Sequence, residues 1–136
     1  MIGIIGAMDE EVEQIVAVMD IEREETKAQM TFKAGKLAGK DVVIVRSGIG
    51  KVNAAVCTQI LVDDFGVDYV INTGIAGSLK NEINIADIVI SDDVLHHDMD
   101  ATGFGYAPGQ IPRMCRRLAC MRAELSAAIS LFQPRR

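Results

Sequence analysis

The feature that most constrains the fold is a run of four β-branched apolar residues, Val42-Val43-Ile44-Val45. A strand with one wet face alternates apolar and polar side chains, whereas an unbroken apolar run is typical of a strand buried on both faces. A glycine turn, Ser47-Gly48-Ile49-Gly50, follows this strand. Helical spacing of apolar residues then predicts a helix from Lys51 to Phe65. The segment therefore indicates an α/β protein.

Strands and helices alternate along most of the chain, which predicts a sheet that is at least partly parallel. Parallel sheets bind ligands at the carboxyl ends of their strands, so the segments that follow strands become candidate site loops. The predicted elements are a strand at 2–7, a helix from Asp9, a charged loop at 22–27, a hairpin around 37–40, buried strands at 68–72 and 88–90, and candidate loops at 6–11, 46–51, 72–78 and 91–106.

The composition excludes several classes of protein. The chain has 136 residues, is 49% hydrophobic and carries a net charge of −5. A chain of this length and composition folds as one domain with a buried core, and its acidic balance disfavours a nucleic-acid binder that relies on a basic surface. It has no apolar run long enough to cross a bilayer, no secretory signal pattern and no Cys-x-x-Cys pair. We therefore expect a cytoplasmic protein that binds neither membrane nor nucleic acid.

The charge balance changes abruptly after Pro112. Residues 1–112 contain six lysines and two arginines, whereas residues 113–136 contain six arginines, no lysine and a single acid, Glu124. One interpretation is a basic amphipathic C-terminal helix, because apolar residues recur at helical spacing after residue 117. The other is a tail read in a different frame from the rest of the gene. We accordingly divide the chain into residues 1–112 and a basic tail, residues 113–136.

Several short motifs are candidates for chemistry. In Asp9-Glu10-Glu11, one carboxylate could face the strand ends and act as a general base, although an acidic first helical turn is the alternative interpretation. The turn Gly48-Ile49-Gly50-Lys51 matches neither phosphate-binding fingerprint and is interpreted as a tight turn. His96 and His97 lack further ligands, so no metal site is predicted. Aromatic residues at 104 and 106, on a polar loop, suggest a ligand wall or a subunit contact.

Four segments taken together resemble one family. They are Ile4-Ile5-Gly6-Ala7-Met8-Asp9-Glu10-Glu11-Val12, Ser47-Gly48-Ile49-Gly50-Lys51-Val52-Asn53-Ala54-Ala55, Ile71-Asn72-Thr73-Gly74, and the stretch from His97 to Pro112. Their order and spacing resemble the bacterial 5′-methylthioadenosine/S-adenosylhomocysteine nucleosidases, of the nucleoside phosphorylase superfamily. The resemblance covers residues 1–112 and implies a three-layer αβα sandwich with a mixed, partly parallel central sheet. It also implies that this sheet is truncated, because the family chain continues for about as many residues again.

The activity that this resemblance implies is hydrolysis of the bond between adenine and ribose, with water as nucleophile and no cofactor or metal. By the family pattern Glu11 activates the water, and Ile75 stands where many members have a serine that helps to hold it. The substrate contacts that the resemblance implies are Met8 beside the ribose, Ile49 near the 5′-alkylthio group, Ala76 and Gly77 through their backbone, and Phe104, Tyr106 and Pro112 lining the pocket of the neighbouring subunit in a homodimer.

The resemblance stops where the composition changes. In the family, a Met-Glu pair that grips the ribose hydroxyls and an Asp that protonates adenine lie in the part that this chain does not match. We therefore expect the chain to be inactive, or nearly so, in the methionine-salvage reaction of its relatives. The alternative is a non-catalytic dimerisation or binding module of the same fold. A third interpretation is a phosphorylase, which would require a phosphate-binding arginine on a site loop, and Arg46 is the only nearby candidate in the matched region.

Overall fold

The computed structural model describes residues 1–115 and 118–119. The chain divides into two compact units, the first spanning Met1–Leu79 and the second beginning at Lys80. The first unit is built on a five-stranded sheet with the order β2-β3-β4-β1-β5, in which β1 lies parallel to β4 and β5 while β2, β3 and β4 are antiparallel. Its elements are β1 Ile2–Gly6, α1 Asp9–Val16, β2 Asp20–Lys27, β3 Met30–Leu37, β4 Lys40–Arg46, α2 Lys51–Phe65 and β5 Tyr69–Asn72.

Both faces of strand β4 are buried, as its sequence predicts. Val43 and Val45 pack with Leu61 of α2 on one face of the sheet. Ile44, from the other face of the same strand, packs with Val12 of α1. The two helices therefore cover opposite faces of the sheet, and the predicted αβα layering with a mixed central sheet is confirmed.

The prediction for the segment that forms strand β2 was wrong. Residues 22–27 were expected to form a charged loop, yet Asp20–Lys27 pairs along its length with β3, with one bulge between Ile21 and Arg23. Its side chains are mostly exposed because β2 is the outermost strand of the sheet. Charged side chains are a common means by which proteins keep such an edge from pairing with other chains. The charges therefore mark a sheet edge rather than a break in the strand.

Two predictions of buried strands were also wrong. Strand β5 exists, but Tyr69 and Val70 are 41% and 38% exposed, because β5 has a hydrogen-bonded neighbour, β1, on only one side in the described residues. Residues Ile88–Ile90 form no strand at all, and Ile88 and Val89 are 72% and 67% exposed. Their β-branched composition favours a strand, but a strand needs a partner, and the described part of the chain provides none there.

The second unit is mostly irregular where it is described. Strand β6, Asp93–Val94, pairs antiparallel with β7, Leu118–Ala119, and a 3-10 helix spans Thr102–Phe104. Within the basic tail, Leu118–Ala119 form strand β7 and not the start of an amphipathic helix. The other residues of the helix considered for this tail lie outside the described residues. Among the described helices, none has both the length and the apolar character needed to cross a membrane.

Candidate active site

The candidate site of the first unit lies where strands β1, β4 and β5 end. These strands run parallel, so their carboxyl ends meet at one edge of the sheet. Backbone hydrogen bonds continue beyond the strands. The N–H of Ser47 donates to the carbonyl of Gly6, and the N–H of Thr73 donates to the carbonyl of Ile5, each at a distance of 2.9 Å. The segments 6–11, 46–51 and 72–78 are therefore neighbours, as predicted, while segment 91–106 belongs to the second unit.

Glu11 is the acid that turns towards these strand ends. Its Oε2 accepts hydrogen bonds from the backbone N–H groups of Ala7, at 2.7 Å, and Met8, at 3.1 Å. Its Oε1 accepts one from the N–H of Ile75 in the loop after β5, at 3.1 Å. The carboxylate therefore joins the loops that follow β1 and β5, and it also serves the first turn of α1, where backbone N–H groups have no partner within the helix.

The other two acids of this turn have different surroundings. Asp9 forms an ion pair with Arg46, at 3.0 Å between Oδ1 and Nε, and Glu10 is exposed. Arg46 and Asp9 are 50% and 75% exposed, so solvent screens this ion pair. The structure thus distinguishes Glu11 from its neighbours, which the order of residues alone did not do.

The hydrogen bonds to Glu11 also keep it ionised. The N–H of Ile75 contributes most to lowering the pKa of Glu11, and the N–H groups of Met8 and Ala7 lower it further, while partial burial acts in the opposite direction. The net pKa lies below the ordinary value for glutamate. A carboxylate that is ionised at neutral pH and held by three backbone donors is available to accept a proton from a molecule at the strand ends.

Four of the predicted substrate contacts belong to the first unit, and all four are apolar or small residues. Met8, the N-cap residue of α1, is partly buried, while Ile49, in the turn before α2, is 75% exposed. Ala76 and Gly77 are exposed in the loop after β5, and a Cβ atom added to Gly77 would meet no atom within 4 Å. All four predicted contacts of this unit therefore lie on the three loops at the strand ends, and their contact with substrate stays a prediction.

The remaining predicted contacts lie in the second unit. Phe104, at the end of the 3-10 helix, is 87% exposed; Tyr106 is partly buried, and Pro112 is exposed. Gln110 folds this segment back, because its side-chain oxygen accepts a hydrogen bond from the N–H of Ala107, at 3.2 Å. An exposed phenylalanine on an ordered turn is available for contact with another molecule.

Two other features of the described residues are less suited to chemistry. A groove of about 600 Å³ lies beside α1, but its charged rim consists largely of the pairs Asp9–Arg46 and Glu24–Lys33. No group of three or more His, Cys, Asp or Glu side chains is arranged to hold a metal ion in the part of the chain that the structure describes. The best candidate for chemistry is thus the Glu11 carboxylate.

Sequence reasoning missed the donor from the β5 loop. The family pattern assigns a role to the side chain at position 75, but the Ile75 side chain is 85% exposed and it is the backbone N–H that contacts Glu11. A backbone contact leaves little trace in residue type. The available signal was Gly74, a residue without a side chain directly before the donor.

Comparison with known proteins places this geometry in a family. The model of the phosphorylase superfamily matches residues 1–130. The 5′-methylthioadenosine/S-adenosylhomocysteine nucleosidase of Marinomonas sp. (strain MWYL1) is 53% identical over 131 residues, an alignment that covers 94% of this chain and 57% of that protein.

Solved structures give the same result. The nucleosidase of Colwellia psychrerythraea 34H, in complex with adenine, matches with a TM-score of 0.90 and 45% identity, covering 95% of this chain and 53% of the other. The nucleosidase of Neisseria meningitidis, in complex with methylthio-immucillin-A, matches with a TM-score of 0.89 and 41% identity, covering 95% and 56%.

The chain spans about half the length of the curated relatives it matches. The family match continues past Pro112, and the division of the chain at residues 112 and 113 stays a prediction. The resemblance stated from the four motifs is confirmed over most of the chain. The chain therefore belongs to the phosphorylase superfamily, and within it resembles the 5′-methylthioadenosine/S-adenosylhomocysteine nucleosidases.

Proposed function

We propose that this chain carries the water-activating part of a nucleosidase site that cleaves the N-glycosidic bond of 5′-methylthioadenosine and S-adenosylhomocysteine and releases adenine. The observation that carries the proposal is the Glu11 carboxylate, held by N–H groups of Ala7 and Met8 on one side and Ile75 on the other. The names of the relatives, and the adenine bound to one of them, support this choice of substrate.

The proposed chemistry follows from the state of this carboxylate. Hydrolysis of a nucleoside passes through a ribosyl cation-like transition state and needs a base that removes a proton from the attacking water. Glu11 is in the ionised form that this role needs, because its pKa lies below the ordinary value for glutamate. The N–H groups of Ile75, Met8 and Ala7 hold the carboxylate in place, and by lowering its pKa they make it a weaker base than an unbonded glutamate. One of its oxygens accepts the water proton as the water attacks the anomeric carbon.

The residues around Glu11 suit an uncharged thioether better than a phosphate. Met8 and Ile49 offer apolar surface at the strand ends, and Arg46 is already paired with Asp9. This arrangement favours hydrolysis over phosphorolysis. The 5′-thio pocket of a neighbouring subunit is completed by Phe104, Tyr106 and Pro112, so the working form is a homodimer. This homodimer acts in the cytoplasm, in methionine salvage.

Taken by itself, the chain is impaired. A general base and a general acid each contribute about 10²–10⁴-fold to such reactions, so a site that provides the base alone loses the acid's share. By the family resemblance, the acid that protonates adenine belongs to the portion of the relatives that this chain does not match.

The test is a chimera in which residues 1–112 of this chain replace the matching segment of the Marinomonas relative, assayed for adenine release from 5′-methylthioadenosine beside the 136-residue chain alone. We expect the chimera to release adenine and the chain alone to release little or none. Glu11→Gln in the chimera should lower the rate by about 10²–10⁴-fold, because an amide cannot accept the proton. A matched control is Glu10→Gln, which removes the same charge from the neighbouring, exposed position.

Two results would contradict the proposal. A folded chimera that keeps its rate after Glu11→Gln would show that Glu11 is not the base. A rate that requires added inorganic phosphate would assign the site to a phosphorylase.

The second candidate is the non-catalytic dimerisation or binding module. It is favoured by the apolar residues that α2 leaves exposed, among them Val52 at 78% and Val62 at 48%. Size-exclusion chromatography and co-purification distinguish the two: stable association with a longer relative, with no more adenine release by the mixture than by that relative alone, favours the binding module.

A further inference from the structure

We propose that Gly74 is a positioning residue for the Glu11 carboxylate: its missing side chain leaves the space that the carboxylate occupies when it bridges the loops after β1 and β5. This inference deepens the proposed function and rests on it for its catalytic meaning. Its geometric content concerns Glu11 and Gly74 alone. The proposal is therefore open to a direct structural test as well as a kinetic one.

The distances around Gly74 carry the inference. A Cβ atom built on Gly74 would lie 2.5 Å from Oε1 of Glu11, 2.8 Å from its Cδ and 3.2 Å from its Oε2. The first two distances are shorter than Cβ atoms show in real structures. All three contacts are with the carboxylate, so any side chain at position 74 competes with Glu11 for the same volume.

Backbone conformation does not explain the glycine. Gly74 is not among the glycines with a positive φ, so an alanine is compatible with the backbone at this position. The three nearest atoms all belong to the end of the flexible Glu11 side chain, which can turn away at the expense of its hydrogen bond from Ile75. A substitution here should therefore move the carboxylate while leaving the fold in place.

Two other glycines help to isolate this effect. At Gly6, an added Cβ would lie 2.5 Å from Cγ1 of the buried Val12, so alanine there would disturb the core as well as the site. At Gly77, in the same loop as Gly74, an added Cβ would meet nothing within 4 Å. In the titration, Gly77→Ala thus serves as a matched control for a methyl group added to the loop; it is not a control for activity, because Gly77 is itself a predicted substrate contact.

Displacing the carboxylate has a definite electrostatic consequence. When Glu11 turns away from residue 74, the hydrogen bond from the Ile75 N–H to Oε1 is lost. That donor contributes most to lowering the pKa of Glu11, so the pKa should rise towards its ordinary value. In the chimera, a base that is out of place by about 1 Å should slow adenine release by about 10²-fold.

The experiment is an NMR titration of the complete 136-residue chain, labelled with ¹³C in glutamate side chains and ¹⁵N in the backbone. In the unsubstituted chain, the Ile75 amide proton should titrate together with the Glu11 carboxyl. In Gly74→Ala, the Glu11 pKa should be higher and the Ile75 amide should no longer follow it. Gly77→Ala should resemble the unsubstituted chain in both respects.

An unchanged Glu11 pKa, with an Ile75 amide that still titrates with it in Gly74→Ala, would overturn the inference. If Gly74→Ala does not fold, the double variant Gly74→Ala with Glu11→Ala is compared with Glu11→Ala alone, because removal of the carboxylate removes the obstacle. Equal folding of these two variants supports the inference, and a double variant that is less stable than Glu11→Ala refutes it. The kinetic readout is separate. A Gly74→Ala titration as expected, beside a chimera without activity, would refute the proposed function and leave the positioning of Glu11 intact.

Discussion

Glu11→Gln should destabilise the first unit by an amount that depends on pH. The carboxylate accepts two N–H groups on Oε2, from Ala7 and Met8, and one on Oε1, from Ile75. Glutamine has only one oxygen, so in either orientation its NH₂ group faces a backbone N–H donor. The orientation that keeps the hydrogen bonds from the Ala7 and Met8 N–H groups loses the hydrogen bond from the Ile75 N–H. The two hydrogen bonds that remain then have an uncharged acceptor.

The magnitude follows from the strength of these bonds. A hydrogen bond to a charged group contributes about 1.5–3 kcal/mol, and a neutral one about 0.5–1.5 kcal/mol. Glu11 is partly exposed, so water compensates for part of the loss and the lower ends of these ranges apply. We expect Glu11→Gln to be less stable than Glu10→Gln by about 1–2 kcal/mol at neutral pH. Both variants remove one negative charge from the first turn of α1, so their difference excludes the effect of the helix dipole.

The assay is urea unfolding of both variants, followed by circular dichroism from about pH 7 down to about pH 3. The pKa of Glu11 is lowered in the folded chain, first by the Ile75 N–H. Its contribution is therefore complete above the unfolded-state pKa and is lost as the pH falls through the lower, folded-state pKa. The gap between the variants should close in acid. Equal stabilities at neutral pH, or a gap that persists unchanged in acid, would refute the assigned role of these hydrogen bonds.

Three further outcomes are expected. Leu61→Ala, at a fully buried core position, should lose about 2–5 kcal/mol in urea unfolding, whereas Val62→Ala, at an exposed neighbour, should lose less than about 1 kcal/mol. Burial raises the pKa of Cys57 to about 11, so alkylation at neutral pH, followed by mass spectrometry, should label the exposed Cys115 and spare Cys57 until the chain is unfolded. Gly35→Ala should lower the free energy of unfolding by about 1–3 kcal/mol or more, because the added Cβ would lie 2.0 Å from the backbone carbonyl oxygen of Asp20 in the neighbouring strand. Unchanged stability of this variant would contradict the register of β2 against β3.

The parts of the fold that were predictable are those where periodicity reflects burial. The run at Val42–Val45 predicted a strand covered on both faces, and helix α2 begins and ends at Lys51 and Phe65 as its apolar spacing indicated. Strand β2 was missed because a sheet edge surrounded by water imposes no apolar pattern. The strand predicted at Ile88–Ile90 failed for the opposite reason, since its composition favours pairing and the described residues offer no partner.

The position of the candidate site in the fold was predictable from the sequence, but the hydrogen bonds that organise it were not. Parallel strands bring their following loops together, so topology alone placed three of the four loops. The choice of Glu11 over Asp9 and Glu10 came from a family resemblance, because all three acids suit the first turn of a helix equally well. The contact that distinguishes Glu11 comes from the backbone of Ile75, and backbone donors are present at almost every residue.

The spacing of those donors along the chain orders the assembly of the site in time. The N–H groups of Ala7 and Met8 are three or four residues from Glu11, whereas that of Ile75 is 64 residues away. A ribosome adds about 5–20 residues per second, so Glu11 is synthesised roughly 3–13 s before its third donor. During that interval only two of its three donors, the N–H groups of Ala7 and Met8, have been synthesised. Glu11 therefore gains its third hydrogen bond only after β5 has been synthesised and has paired with β1. The complete set of three hydrogen bonds forms only when the parallel part of the sheet is complete.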